Sequence, residues 1–508
     1  MEVTMNRKIR KDVETSCDYV LPDYMGDIKK LLSSKARVVP SGKYLSGDSV
    51  DVGGSVEYEL LYADAEGRLT SLSTSSDYAF SLPTDGEKYV GCDADIAVAN
   101  LSVRITGPRK VALKGALRGT FSVTEEGAPE VAGDVFSSDA SPEVDTRVIN
   151  SERYIYSEEL EREYAEEAER LEGMAGEDVE VIASSAEIKI LETRTVENGV
   201  EIRGELVIFA IVRTPEQPPF RIAKTVPFAE TVSIGGTSPD APIVATGCVK
   251  HVGVDVSEDG DDKILLASAT VLVSAYAIEN EPLEVVTDAY LTDACTASAY
   301  EELSYSTFLA SHVTDVKVEQ KVDAETLGTD NLHSIVWLCA EVRDFGCRMD
   351  AEGAKISGIL QFNAIACEIN ADRSIGYIPI RVSAPFEHNV NISSQIGENI
   401  ELCCTRGEPV CDFIIDGGTL VLRASLLCTL KESERGSVRR ISELSATGEE
   451  VQRQSSVITV YYPSEGDTLF SVAKKYSTTV AKLSLDNPAV ESVMAGEDIS
   501  SLGRLIIK

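Results

Sequence analysis

Four histidines, eleven cysteines and 84 acidic side chains are the groups through which this 508-residue chain could do acid–base, metal or nucleophilic chemistry. The histidines His251, His312, His333 and His388 stand far apart, and none belongs to an HExxH or GxSxG pattern. No P-loop is present. Cys403, Cys404 and Cys411 fall close together but lack the paired two-residue spacing that clamps zinc, so neither a metal nor another cofactor is expected. The cysteine total is odd and seven of the eleven lie between Cys339 and Cys428, which fits reduced thiols. Cys367 and Cys428 sit in alternating apolar stretches, where a thiol behaves as a small hydrophobe. Carboxylates are so abundant that close pairs arise from composition alone and mark no acid–base centre. These residues point to a protein that is not an enzyme.

The end of the chain has a different kind of pattern. Ile458–Tyr462 reads as a short strand, and Gly466-Asp467-Thr468 as a turn that caps a helix from Leu469 to about Tyr476. Leu469, Val472, Ala473 and Tyr476 share one face of that helix, which leaves Phe470 free to point outward. Thr478 and Thr479 offer caps for a second helix from about Val480 to Leu485, with Val480, Leu483 and Leu485 available for the core; Asn487-Pro488 stops it, and Arg504–Ile507 supplies a returning strand. This β-α-α-β stretch, residues 457–508, closely resembles the LysM family in its GDTL turn, helix end, threonine pair and Asn-Pro stop. It departs from that family in a longer loop between Asn487 and Arg504, and in Lys508 where many modules have proline. The resemblance implies a groove for N-acetylglucosamine glycans such as peptidoglycan or chitin, formed by Gly466, Asp467, Thr468 and Leu469 with Asn487, Pro488, Ala489 and Val490. If the groove reads a protein instead, Leu469, Phe470 and Val490 are the expected anchors.

The rest of the chain must position this module. A net charge of −37 repels phosphate backbones and anionic lipid, so nucleic acid and bare membrane are excluded as partners. Met1–Lys11 is basic, but no apolar leader segment follows it, and residence in the cytosol is expected. The longest apolar stretch, Leu265–Ile278, alternates as a strand does, so no transmembrane segment is expected.

Three blocks align without a gap: Ala36–Tyr62, Ala186–Val212 and Ala340–Ala366 place Gly54, Gly204 and Gly358 at the same point. Aromatic residues follow at Phe80, Phe228 and Phe386, and further alternating strands at Arg109–Val123, Asp262–Ile278 and Gly418–Glu432. Apolar residues recur mainly at a spacing of two, and a glycine inside such a strand marks a bulge or a close backbone approach. Partly helical spacing appears at Met25–Ala36 and Thr329–Val342, the latter with Trp337 as core, and Ser157–Met174 reads as an acidic helix.

The predicted fold is mainly β, with three antiparallel β-rich repeat domains followed by a small βααβ LysM domain. Repeat 1 occupies 1–124, an acidic linker 125–156, a helix with repeat 2 157–300, repeat 3 301–430, a charged linker 431–456 and the module 457–508. This organisation resembles the SPOCS-domain spore-coat morphogenetic proteins of clostridia and related spore formers. The resemblance implies a non-enzymatic scaffold made in the mother-cell cytosol that works at the forespore surface during coat assembly. Its LysM module would contact the coat-basement ATPase or another spore-coat protein, with peptidoglycan as the competing ligand. The alternative is a cell-wall-targeted peptidoglycan-binding protein.

Overall fold

The structure, a computed structural model, describes residues 3–46, 48–84, 88–127, 142–197, 199–215, 217–327, 332–350, 353–370, 372–392, 399–416, 418–450, 458–490 and 496–508. Its strands are antiparallel and fall into three two-layer sandwiches and a small tail. The first sandwich holds β1 (Val3–Val20), β2 (Ile28–Ser46), β3 (Ser49–Asp64), β4 (Leu69–Pro83), β5 (Lys88–Gly107) and β6 (Lys110–Gly127). The second holds β7 (Glu143–Tyr156), β8 (Leu160–Leu171), β9 (Glu180–Val196), β10 (Gly199–Arg213), β11 (Phe220–Ser233), β12 (Ile243–Asp259) and β13 (Asp262–Tyr290). The third holds β14 (Ala294–Asp323), a one-turn helix α1 (Ala324–Leu327), β15 (Leu332–Asp350), β16 (Gly353–Ile369), β17 (Ile375–Val390), β18 (Ile400–Arg406), β19 (Val410–Asp416) and β20 (Thr419–Glu450).

In each sandwich one layer is a three-stranded sheet, β2-β3-β4, β9-β10-β11 or β15-β16-β17. The other layer is centred on β6, β13 or β20, the late alternating strands. Alternation makes the sandwiches: Val50, Val52, Val56, Tyr58 and Leu60 of β3 face Val111, Leu113, Leu117 and Phe121 of β6 within one apolar core. Equivalent cores join β10 to β13 and β16 to β20.

Gly54, Gly204 and Gly358 all lie on the middle strand of a three-stranded sheet, opposite Tyr78, Phe228 and Phe386. A Cβ at any of them would run into that aromatic ring and into a backbone carbonyl of the preceding strand, Val39, Lys189 or Arg343. The neighbouring ladder shifts register beside each glycine, as a bulge requires. In the first sheet the ring over the glycine is Tyr78, two residues before Phe80, which sits opposite Val52 instead.

A second register shift falls at Leu32, Ile182 and Val336, near the start of β2, β9 and β15. These bulged residues turn away from their own sandwiches into one cluster shared by all three, with Leu61, Ile211 and Ile365 from the middle strands. The sheets close head to tail around it: β4 lies against β9, β11 against β15, and β16 and β17 against β2.

The three segments expected to be helical are instead largely strand: β2 begins at Ile28, β8 spans Leu160–Leu171 and β15 begins at Leu332, with residues 329–331 of the third outside the described residues. Leu160, Tyr164 and Ala168 are spaced four apart, which suits a helix face or a strand face equally. The free edge of β13 decides, pairing Val273 with Leu160 through to Lys263 with Leu171. Ile335, Val336, Trp337 and Leu338 are all buried because β15 is covered on both sides, so no two-residue period is visible. Trp337 is core, on a strand rather than a helix. Ile28–Ser46 takes in the expected helix from Ile28 to Ala36 but pairs along its length with β3.

Neither predicted linker is one throughout. Lys431–Glu450 continues β20 along β14, with Val438, Ile441 and Leu444 buried, and Glu143–Tyr156 is β7, paired with β13. Residues 128–141 and 451–457 lie outside the described residues. No described helix is long and apolar enough to cross a membrane.

The tail contains β21 (Thr459–Tyr461), α2 (Leu469–Lys475), α3 (Val480–Asp486) and β22 (Leu505–Ile507), and β21 pairs antiparallel with β22.

Candidate functional site

The turn before α2 begins at Gly466, whose φ of 87° is the left-handed conformation that glycine tolerates best. Its N–H donates to Asp498 Oδ2 at 2.6 Å. Asp467 Oδ2 accepts from the Tyr461 hydroxyl and the Ser464 N–H, both at 2.7 Å. Those bonds, the Ser464 amide first, hold the Asp467 carboxyl below its usual range. Thr468 caps α2 in a reciprocal box with Ser471: the Ser471 N–H donates to Thr468 Oγ1 at 3.1 Å, and the Thr468 N–H to Ser471 Oγ at 2.9 Å. Thr479 caps α3 in one direction only, accepting the Lys482 N–H at 3.0 Å.

Leu469, Phe470 and Val490 are brought together, but as core, in one buried cluster with Val472, Ala473, Leu483, Ile499 and Leu505. Asn487 is also buried: its side-chain nitrogen donates to the Leu483 and Ile506 carbonyls, and its oxygen accepts the Ile506 N–H at 2.6 Å. It ties the end of α3 to β22, which is architecture. Of the nine candidate residues Gly466, Pro488 and Ala489 are exposed, and Asp467 and Thr468 are half-buried. The N–H groups of Gly466, Asp467, Thr468, Asn487 and Val490 are all used inside the tail. The turn therefore offers an outside ligand few donors.

Phe470 does not point outward. Its ring meets Tyr290, the last residue of β13, edge-on at 5.2 Å between centroids, and both are more than nine-tenths buried. The Tyr290 hydroxyl donates to the Thr478 carbonyl at 2.6 Å, Lys474 Nζ pairs with Asp288 at 2.6 Å, and the Val480 N–H reaches Glu143 Oε2 at 3.2 Å. These contacts seat the tail on the paired ends of β7 and β13. The helical wheel of α2 could not show this, because it displays only the helix's own core face and not what another part of the chain covers.

The apolar surface left open on the tail lies elsewhere. Leu485 on α3 is 82% exposed and Tyr462 69%, with Ile458 and Val460 also exposed on the side of β21 opposite Tyr461. Leu485, expected to join Val480 and Leu483 in the core, instead lies on the open side of α3, where only Leu483 is buried. Loop residues 491–495 lie outside the described residues.

Residues 178–257 match the family model described as SipL, SPOCS domain. The matched stretch takes in β9, β10, β11 and nearly all of β12, and so contains the Gly204 bulge and its Phe228 cover. No curated protein and no solved structure matches the chain.

Proposed function

We propose that this protein is a non-enzymatic scaffold of the spore envelope: three copies of a SPOCS-like unit carrying a LysM module, at work in the mother-cell cytosol on the forespore surface. The match of residues 178–257 to the SPOCS domain carries this reading, since it ties the chain to sporulation. Its extension to the other two sandwiches rests on the shared glycine, ring and double bulge around Gly54, Gly204 and Gly358.

The module is proposed to contact a coat-assembly protein, the coat-basement ATPase or another coat component, in preference to peptidoglycan. Glycan recognition needs convergent polar groups, and those of the GDT turn and Asn487 are consumed internally. An exposed leucine beside Pro488 and Ala489 suits the apolar centre of a protein interface. A fluorescent fusion followed through sporulation tests the role. Signal encircling the forespore supports it, and uniform cytosolic signal or labelling of the vegetative wall overturns it.

A further inference from the structure

The head-to-tail closure of the three sandwiches places equivalent residues at equivalent junctions, and the junctions are filled differently. After each bulged residue comes Ser33, Ala183 or Trp337. Where β15 meets the second sandwich, the Trp337 indole packs edge-on against Phe209 of β10 at 5.4 Å, and Ala223 lies beside Phe209 on β11. That place is filled by rings. Where β2 meets the third sandwich, the corresponding three positions are Ser33, Asn363 and Arg381, with Arg381 paired to Asn363 across the ladder. Two aromatic rings have given way to a hydroxyl and an amide, and a cavity of about 240 Å³ remains. Leu31, Leu32, Ser33, Asn363, Ile380 and Arg381 are among the residues that line it.

Two buried polar groups of this cavity find no partner in the protein. Ser33 and Asn363 are 8% and 5% exposed, and neither Ser33 Oγ nor Asn363 Nδ2 has a hydrogen-bond partner. A buried donor left unmet is costly, so such groups are rare unless something else accepts from them. Arg381 donates through Nε to Asn363 Oδ1 at 3.1 Å, which fixes the guanidinium over the cavity. Among the described residues no carboxylate pairs with Arg381, in a chain where acids outnumber cations 84 to 47. Lys30, donating to the Tyr377 carbonyl at the same junction, adds a second positive charge.

We propose that this cavity is a binding site for a small organic carboxylate. The terminal nitrogens of Arg381 take the carboxylate, the Asn363 amide and Ser33 hydroxyl supply further donors, and Leu32 and Ile380 form the apolar wall against its hydrocarbon part. The wall selects an organic acid over an inorganic anion. The full-length protein is titrated calorimetrically with benzoate and, at matched ionic strength, with inorganic phosphate. Benzoate is expected to fill one saturable site and phosphate none. Arg381→Gln should weaken benzoate at least tenfold with an unchanged melting temperature, because Arg381 is exposed. Ser33→Ala should weaken it by a smaller factor. The proposal is overturned by absence of a saturable benzoate site, by equal benzoate affinity in Arg381→Gln, or by phosphate binding as tightly as benzoate.

Discussion

The centre of the body and the seat of the tail both join separately built pieces of one chain, and they do so with different chemistry. At the centre, Leu32, Ile182 and Val336 are bulged out of three sheets into a single apolar cluster, and Trp337 and Phe209 interlock there. At the seat, a single ring pair is surrounded by the Lys474–Asp288 ion pair and two hydrogen bonds to main-chain groups of the tail. The first arrangement leaves no sandwich with a complete surface of its own. The second covers little, and the tail keeps its own core of Leu469, Val472, Leu483 and Leu505. The difference teaches that the body should unfold as one cooperative unit, whereas the tail should come off it locally.

Removing the interlock should have the largest effect. Trp337→Ala leaves a cavity at the shared cluster and is expected to cost about 3–5 kcal/mol. Calorimetry should still show one body transition, moved down as a whole. If only the third sandwich melted early, the shared core would not couple the three.

The centre also contains a charge that sharpens the comparison. Glu187 of β9 is 4% exposed and accepts the Cys411 N–H at 3.1 Å, and burial lifts its carboxyl to about 7 against the opposing pull of Lys35. A folded-state value above the unfolded one means the fold binds this proton more tightly. The stabilisation is complete below about pH 4.5 and lost as pH rises through about 7. Glu187→Gln keeps the acceptor and removes the charge, so it should match the parent at pH 4.5 and exceed it at pH 8 by on the order of 1–3 kcal/mol. Chemical denaturation at the two pH values reads this directly, and a difference of the opposite sign would contradict it.

The smallest effect is expected at the seat. Tyr290→Ala should leave the body transition in place and speed hydrogen exchange in α2 and α3, for a loss of about 1–2 kcal/mol confined to the tail. Phe470→Ala should do the same, with added loss from the tail's own core. A body transition lowered as far as by Trp337→Ala would erase the distinction between the two regions.

Much of the body was legible because its signals are local. Gly54, Gly204 and Gly358 stand out as glycines inside alternating strands, and their bulges follow from that position. The acidic β8 was not legible, since spacing by four suits either periodicity and only the edge of β13 discriminates. Lys431–Glu450 reads as a linker because an exposed ribbon has a charged face and few aromatics, although Val438, Ile441 and Leu444 mark its buried side. At the tail, the turn and cap chemistry of Gly466 and Thr468 was readable within a few residues. The covering of Phe470 was not, because Tyr290 comes from a strand far away in sequence.

The proposal that the module reads a protein can be tested most directly by binding the full chain in parallel to the coat-basement ATPase and to insoluble peptidoglycan, with Leu485→Asp as the probe. Leu485 is 82% exposed and outside the tail core, so the substitution should leave folding unchanged. The account predicts that the parent binds the ATPase and not peptidoglycan, and that Leu485→Asp weakens ATPase binding at least tenfold. Peptidoglycan capture by the parent, with ATPase binding absent or indifferent to Leu485→Asp, would contradict it.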